Sequence, residues 1–215
     1  MIDLTHVVGT HLPRWAAPFF PDLLWRVPTP GKTAYLTFDD GPTPSSTLSL
    51  LDILDRFDAG ATFFLLGRHA ERDPGLVRAI AEAGHVIGNH TYSHANAWKT
   101  KPAAVLAELE RTTSILEDLI QQPLRWMRPP YGHFTRSMRQ WCRVRRQRCT
   151  MWDVGPADFL SQVTRADIER RILRAIRPGS IIVLHDNRNA YRVTPPALTN
   201  VLSTLKKDGW SFSSL

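Results

Sequence analysis

Short apolar runs alternate along the chain with stretches in which apolar residues recur every three or four positions. A short apolar run is typical of a buried strand, and recurrence every three or four residues is typical of an amphipathic helix. The pattern predicts strands at 34–38, 61–66, 86–88, 124–128, 149–154, 180–184 and 210–213. It predicts helices between them at 46–57, 74–83, 102–121, 136–144, 164–176 and 196–207.

The alternation of strands and helices indicates how the strands pair. Parallel neighbours need a crossover connection, which is usually a helix, so repeated strand–helix units predict a parallel sheet. Seven or eight such units favour a closed or nearly closed sheet. The predicted fold is α/β, a distorted (β/α) barrel of about seven parallel strands with outer helices. We assign residues 34–215 to this domain.

Residues 1–33 are expected to form an irregular N-terminal segment, because their prolines prevent a long helix. Aromatic residues lie among these prolines, so the segment is expected to pack on the domain. They are Trp15, Phe19, Phe20 and Trp25.

Polar side chains stand at or just after the ends of the predicted strands. Active sites of parallel α/β folds lie at the carboxyl ends of the strands, so these residues are candidates for one site. They are Asp39 and Asp40 after the first strand, His90 and His94 after the third, Arg128 at the end of the fourth, Asp158 after the fifth and His185 after the sixth.

His90 and His94 are four residues apart, so one helical turn would place both rings on one face. Two histidines with one carboxylate leave a coordination position for water, which is the pattern of a catalytic zinc site. One residue of the Asp39–Asp40 pair can bind the metal while the other accepts a proton from water. Alternatively, the histidine pair is incidental and the aspartates satisfy backbone N–H groups of a turn.

Two further residues fit this chemistry. Arg128 would keep a neighbouring carboxylate base ionised; otherwise it is a surface charge beside a rigid turn. His185 emerges from the most apolar strand and could donate a proton to a leaving amine, with Asp158 orienting its ring and raising its pKa. The alternative for His185 is a cap at the strand end.

Composition narrows the class of protein. The chain has 215 residues, of which 43% are hydrophobic and 22% charged, so it fits one folded domain, and disorder is not the expected state. Neither a signal peptide nor a membrane span is apparent, which predicts a cytoplasmic protein, or an extracytoplasmic one if the N-terminus is incomplete. The two cysteines, Cys142 and Cys149, are too few for a disulfide scaffold. Cys149 is expected to be a buried free thiol, although a bridge between the two is not excluded.

The net charge of +7 could attract an anionic partner. Much of it comes from one stretch that contains Arg136, Arg139, Arg143, Arg145, Arg146 and Arg148. No nucleic-acid-binding motif accompanies these arginines, which favours a solvated basic face and argues against a nucleic-acid partner.

Four motifs resemble, in order and approximate spacing, those of the NodB-homology polysaccharide deacetylases, carbohydrate esterase family four. They are Thr37–Pro42, His90–His94, Arg128–Tyr131 and Ile182–His185, and the similarity covers residues 22–213. The resemblance implies a distorted (β/α) barrel that removes N-acetyl or O-acetyl groups from a carbohydrate or polysaccharide. It also implies one divalent metal ion, zinc first, with cobalt, nickel or manganese as alternatives.

The resemblance assigns a role to each site residue. Asp39 would be the base, Asp40, His90 and His94 the metal ligands, and His185 the acid. Arg128 would hold the base, the backbone N–H of Tyr131 would stabilise the oxyanion, and Asp158 would tune His185.

One motif departs from the family. Where the family has an Asp, two variable residues and then Asp-Trp, this chain has Gly155, Asp158 and Phe159. Asp158 keeps the support of His185. Gly155 removes a carboxylate expected to support Arg128, for which Asp153 could substitute, and Phe159 changes the acyl pocket.

Two alternatives to carbohydrate deacetylation stay open from the sequence. One is a metal-dependent hydrolase of a linear or cyclic amide that is not a sugar. The other is a non-catalytic basic module that binds an acidic polymer through the arginine-rich stretch. The oligomeric state is not predicted.

Overall fold

The computed structural model describes residues 19–215. Its strands are β1 (Thr33–Asp39), β2 (Ala61–Leu65), β3 (Val86–Asn89), β4 (Trp126–Met127), β5 (Arg148–Cys149), β6 (Ile181–His185) and β7 (Ser211–Ser213). Its helices are α1 (Thr47–Arg56), α2 (Gly67–Arg72), α3 (Pro74–Glu82), α4 (Pro102–Ile120), α5 (Arg136–Val144), α6 (Arg165–Ala175) and α7 (Thr194–Lys207). The helix α2 was not predicted, because its six residues are too few for a periodic pattern.

The strands form one parallel sheet in the order β5-β4-β3-β2-β1-β6, with β7 also pairing with β1. A parallel bridge from Val154 to Ile182 brings the chain after β5 back towards β6. The sheet therefore curls into an incompletely closed barrel, and the predicted distorted (β/α) barrel is confirmed.

The strand predicted at 149–154 is shorter in the structure. Beyond β5, Thr150 forms an isolated bridge with Leu24, and the N–H of Met151 donates to the carbonyl of Leu24 at 2.8 Å. The N–H of Thr150 still donates to the carbonyl of Met127 on β4 at 2.7 Å, whereas those of Asp153 and Val154 donate to the carbonyl of Ile181 on β6, so the regular ladder with β4 ends near Cys149.

Side chains of each strand alternate between two faces of the sheet. Phe38 and Leu184 belong to the core between the sheet and its helices, whereas Val183 belongs to a second core on the opposite face. Since successive strand residues point to opposite faces, Asp39 and His185 lie on the same face as Val183. That face is the interior of the barrel.

The described part of the N-terminal segment contacts the domain. Leu23 and Leu24 are buried, and the N–H of Leu24 donates to the carbonyl of Cys149 at 2.9 Å. Residues 1–18, including Trp15, lie outside the described residues, and the boundary at residue 33 stays a prediction. Among residues 19–215, no helix is long and apolar enough to cross a membrane.

Cys142 and Cys149 are both buried and both free thiols, so the bridge that the sequence left open is not formed. Several arginines of the basic stretch have acidic partners: Arg139 and Arg143 pair with Asp22, and Arg145 pairs with Glu110. These contacts neutralise part of the local excess of charge.

Candidate active site and metal centre

The register of β1 and β6 brings the two candidate proton-transfer residues together. Asp39 and His185 are direct partners across the parallel pair, and the N–H of Asp186 donates to the carbonyl of Asp39 at 2.8 Å. Both strands end here, at the carboxyl edge of the sheet. The sequence prediction that strand ends would group these side chains holds for this pair.

Asp186 fixes the turn that follows β1. Its buried carboxylate accepts hydrogen bonds from Ser46 Oγ and Thr47 Oγ1, both at 2.5 Å. Gly41 lies so close that a Cβ there would stand 2.5 Å from Asp186 Oδ2, so only glycine fits. Burial raises the pKa of Asp186 to about 6 even though these hydroxyl groups oppose the shift.

His90 and His94 do not lie on a helical turn, so that part of the sequence prediction was wrong. The chain from His90 to His94 is an irregular loop with positive φ at Thr91 (65°) and His94 (68°). The carboxylate of Glu108 on α4 holds the loop by accepting from the N–H groups of Tyr92 and Ser93 at 3.2 and 3.0 Å. A partner from another element therefore replaces the helical hydrogen bonds that were expected.

Three side chains converge on one point. Asp40 Oδ1 lies 3.2 Å from His94 Nε2 and 3.6 Å from His90 Nε2, and it is buried without a hydrogen bond. The ligand atoms of Asp40, His90 and His94 all lie within 4.8 Å of one another. A buried carboxylate oxygen without a hydrogen bond and two imidazole nitrogens that face it form a donor set that fits a divalent metal ion with an open coordination position.

Hydrogen bonds orient these ligand atoms. The Nδ1–H of His90 donates to the carbonyl of Arg128 at 2.7 Å, which leaves Nε2 as the free nitrogen. The side-chain amide of Asn187 donates to Asp40 Oδ2 at 2.8 Å, which leaves Oδ1 for a ligand role. Partners of this kind set the orientation and basicity of metal ligands.

The protonation states also suit metal binding. Burial lowers the pKa of His90 to about 4, so the imidazole is neutral near pH 7. Burial alone would raise the pKa of Asp40, but the nearby His94, His185 and His90 outweigh that effect and lower it below the usual range. Metal ligands must be deprotonated, which both groups are at neutral pH.

Arg128 lies fully buried inside the barrel and holds Asp39. Its NH1 donates to Asp39 Oδ1 at 2.8 Å and to Thr37 Oγ1 at 2.7 Å, and its NH2 donates to the carbonyl of Met151 at 2.9 Å. The guanidinium carbon lies 4.3 Å from the centre of the Phe64 ring. Asp39 Oδ1 is thereby fixed, and Oδ2 lies 3.8 Å from His90 Nε2.

Asp153 does not take the place of the carboxylate missing at Gly155. It accepts hydrogen bonds from Ser180 Oγ at 3.1 Å and from the N–H of Ile181 at 2.9 Å, so it caps the start of β6. The Nε of Arg128 is buried without a hydrogen-bond partner. Asp39 is the one ion-pair partner of Arg128 among the described residues.

His185 is held through its Nδ1. Asp158 Oδ1 accepts from this nitrogen at 2.8 Å, and Asp158 Oδ2 accepts from the backbone N–H of His185 at 2.9 Å and from Thr194 Oγ1 at 2.6 Å. Burial alone would lower the pKa of His185, but Asp158, Asp40 and Asp39 outweigh it and raise the pKa to about 9. The ring is protonated at neutral pH, and Nε2 carries the proton that can be donated.

Removing the charge of Asp158 is expected to shift the pH dependence of the deacetylation rate. A general acid works while protonated, so the rate falls as pH rises through its pKa. In Asp158→Asn, the pKa of His185 loses the attraction that raises it. The alkaline limb of the pH–rate profile should therefore shift by about 1–3 units to lower pH.

The matched control is Asp153→Asn, which changes a buried carboxylate on the same segment that contacts β6 without touching His185. In Asp153→Asn, the alkaline limb of the pH–rate profile should lie at the pH measured for the parent chain, whatever the absolute rate of the variant. An alkaline limb that stays in place in Asp158→Asn would contradict the role assigned to this ion pair.

A cavity of about 550 Å³ opens over these groups. Six of the residues predicted from sequence line it, and they are Asp39, Asp40, His90, His94, Tyr131 and His185. Tyr131 is 53% exposed, has a positive φ of 59°, and its ring lies 4.5 Å from that of His94. Arg128 and Asp158 stand behind Asp39 and His185 and contact them directly.

Sequence reasoning missed three residues that hold the site: Glu108, Asn187 and Thr194. Asn187 follows the strand that carries His185, so its place at a strand end was a usable signal. Glu108 lies within α4 and Thr194 begins α7. Nothing in their local pattern distinguishes them from ordinary helix residues.

The described residues form a parallel (β/α) barrel, and the Asp40–His90–His94 cluster at the carboxyl edge of its sheet is a candidate hydrolytic centre. Residues 26–144 match the family model described as polysaccharide deacetylase. The chain belongs to the polysaccharide deacetylase family, carbohydrate esterase family four.

Two curated relatives are peptidoglycan-N-acetylglucosamine deacetylases of Bacillus cereus. One is 36% identical over 84% of this chain and 66% of its own length, and the other is 32% identical over 87% and 88%. A chitooligosaccharide deacetylase of a Bradyrhizobium species is 35% identical over 72% of this chain and 71% of its own. These relatives support carbohydrate deacetylation as the class of reaction.

Solved structures of the same family share the fold of this chain. The crystal structure of the Bc1960 peptidoglycan N-acetylglucosamine deacetylase has a TM-score of 0.88 at 32% identity, covering 95% of both chains. BA3943 of Bacillus anthracis, described as a pseudoenzyme of the same family, has a TM-score of 0.82 at 26% identity, covering 90% of this chain and 67% of its own.

Proposed function

We propose that this chain is a metal-dependent hydrolase that removes N-acetyl or O-acetyl groups from a carbohydrate or polysaccharide. The observation that carries the proposal is that two adjacent carboxylates, Asp39 and Asp40, have different partners. Arg128 holds one oxygen of Asp39 and leaves the other facing the cluster, whereas Asp40 presents an unpartnered oxygen to His90 and His94.

Asp40, His90 and His94 would hold the metal, zinc first, with cobalt, nickel or manganese as alternatives. When bound, such an ion polarises the acyl carbonyl and makes water more acidic. The ligand set of two imidazoles and one carboxylate suits these ions better than magnesium or calcium, which prefer oxygen ligands.

The protein groups then carry the proton transfers. Asp39 Oδ2 accepts a proton from water as the water oxygen bonds to the acyl carbon. The backbone N–H of Tyr131 donates to the acyl oxygen as negative charge develops there. His185 Nε2 gives its proton to the leaving nitrogen, or to the leaving oxygen of an O-acetyl group, as the bond to the acyl carbon breaks. The products are acetate and a free amine, or acetate and a free hydroxyl group.

The side chains of the site are stronger support for catalysis than membership of the family is. One neighbour in the family is described as a pseudoenzyme, so membership alone does not establish turnover. In this chain the candidate base, acid and ligand side chains line one cavity, which favours an active enzyme. An N-acetylglucosamine polymer is the first substrate class to test, since relatives are named for peptidoglycan and chitooligosaccharides.

Metal removal is expected to abolish turnover. The protein would be stripped with a chelator, dialysed, and assayed for acetate release from acetylated sugars before and after addition of zinc, cobalt, nickel or manganese. Activity should vanish on stripping and return with at least one ion, because the three protein ligands leave a position for water. Elemental analysis of the purified protein should find about one ion per chain.

The same assay separates the alternatives. Release of acetate without metal would contradict the proposal. Metal-dependent hydrolysis of small linear or cyclic amides, with none of acetylated sugars, would favour the hydrolase of a non-sugar amide. Metal-independent, salt-sensitive binding of an acidic polymer without turnover would favour the basic module.

A further inference from the structure

Four rings form a row that leads from the candidate metal centre to the protein surface. The ring of Tyr131 lies 4.5 Å from that of His94 and 5.7 Å from that of His133. The row ends at Trp98, whose indole is stacked on His133 at 3.7 Å with 6° between the ring planes. Tyr131 and His133 line the cavity, so Trp98 extends the cavity wall outward. We call these four residues the aromatic row.

Trp98 is held in place and yet exposed. Its indole N–H donates to the carbonyl of Phe134 at 3.2 Å, and its backbone N–H donates to Asn96 Oδ1 at 3.0 Å. The same oxygen accepts from His133 Nδ1 at 3.0 Å. Trp98 is nevertheless 66% exposed, so the ring face opposite His133 is open to solvent. A fixed, exposed aromatic surface that continues a cavity wall is typical of a ligand-binding groove.

The open indole face suits a ligand with one apolar face and polar edges. Such a ligand covers the ring with C–H groups while its hydroxyl groups stay hydrated. A pyranose ring has this chemistry, because its axial C–H bonds form an apolar face and its hydroxyl groups project from the rim. Burial and the nearby Lys99 lower the pKa of His133, so the imidazole behind Trp98 is uncharged at neutral pH.

We infer that Trp98, supported by His133, is a subsite for the sugar unit adjacent to the one that loses its acetyl group. The inference rests on the proposed function, because it takes the acetylated unit to lie over Asp39 and the metal ligands. The substrate is then an oligosaccharide or a longer polymer, and a single sugar leaves the Trp98 face uncovered.

Trp98→Ala tests the subsite through its dependence on chain length. For the metal-loaded protein, kcat/KM would be measured for N-acetylglucosamine and its dimer, trimer and tetramer. The variant should lose about 3- to 10-fold on the longer oligomers, the worth of one aromatic contact, and keep its rate on the monosaccharide. Trp98→Phe retains a ring and should recover most of the loss.

Leu173→Ala is the matched control, since Leu173 is an exposed apolar residue on α6 that does not line the cavity. It should leave the length dependence unchanged. An equal loss on all oligomers in Trp98→Ala, or no loss on any, overturns the subsite.

A binding measurement tests the Trp98 subsite without depending on catalytic turnover. The dissociation constant of the tetramer would be measured by calorimetry in an Asp39→Asn background, with and without Trp98→Ala. Weaker binding by about 3- to 10-fold supports the subsite. If the parent chain releases no acetate from any sugar while this difference persists, the proposed function fails and only the binding of a sugar at Trp98 stands. Unchanged tetramer binding, or none at all, overturns the subsite.

Discussion

Asp39→Asn is expected to lower deacetylation by about 10²–10⁴-fold, the usual contribution of a general base. The amide oxygen of asparagine can still accept from Arg128, so the site should keep its shape, but an amide cannot take a proton from water near pH 7. Asp40, His90 and His94 are untouched, so the metal content should equal that of the parent chain. Acetate release and elemental analysis on the same preparation measure both quantities.

The control is Asp52→Asn, the same chemical change at an exposed position on α1. It should leave turnover and metal content as they are. Full activity in Asp39→Asn would refute the assignment of the base. A loss of activity together with a loss of metal would instead place Asp39 among the ligands.

Arg128→Met is expected to destabilise the fold by about 3–5 kcal/mol, because it leaves a buried carboxylate without its charge partner. The Arg128 side chain is 0% exposed and that of Asp39 is 6% exposed, so water cannot replace the lost interaction. The donors to Thr37 and to the carbonyl of Met151 are lost as well. Denaturant unfolding followed by circular dichroism gives the free energy of unfolding.

Two further variants make this prediction specific. Arg72→Met removes an ion pair with Asp73 in which the arginine side chain is 59% exposed, and it should cost about 0–1 kcal/mol. In an Asp39→Asn background, Arg128→Met should cost less than it does alone, because the uncompensated charge is already gone. A cost for Arg128→Met no greater than that for Arg72→Met would show that the buried pair does not stabilise the fold.

The local pattern of the chain was enough to predict the fold class and the edge of the sheet at which the candidate base and acid lie. Strands have a period of two and a buried face, so Phe38 facing the helices puts Asp39 inside the barrel, and the same holds for Leu184 and His185. Parallel strands end at one edge, so both residues were expected at that edge, and the pairing of β1 with β6 makes them direct neighbours. The alternation of side chains along a strand depends only on neighbouring residues, so it can be read from the sequence.

Spacing alone was misleading where the backbone leaves regular structure. The four-residue interval from His90 to His94 suggested a helical turn, but the two rings meet through a loop with positive φ at Thr91 and His94. The loop holds this shape because Glu108, on a distant helix, supplies the acceptor for its N–H groups. Asp153 likewise lies near Gly155 in sequence and caps β6 instead of supporting Arg128.

The sequence by itself therefore determined the barrel, the edge at which the site lies and the residue types able to do the chemistry. Only the tertiary structure decided that Asn187 turns Asp40 Oδ1 towards the histidines, that Asp153 does not join Asp39 in pairing with Arg128, and that the aromatic row continues the cavity to Trp98. The physical reason is that hydrogen bonds and ring contacts form between side chains from separate elements. Whether two such groups meet depends on how the packed elements are positioned, which local periodicity does not encode.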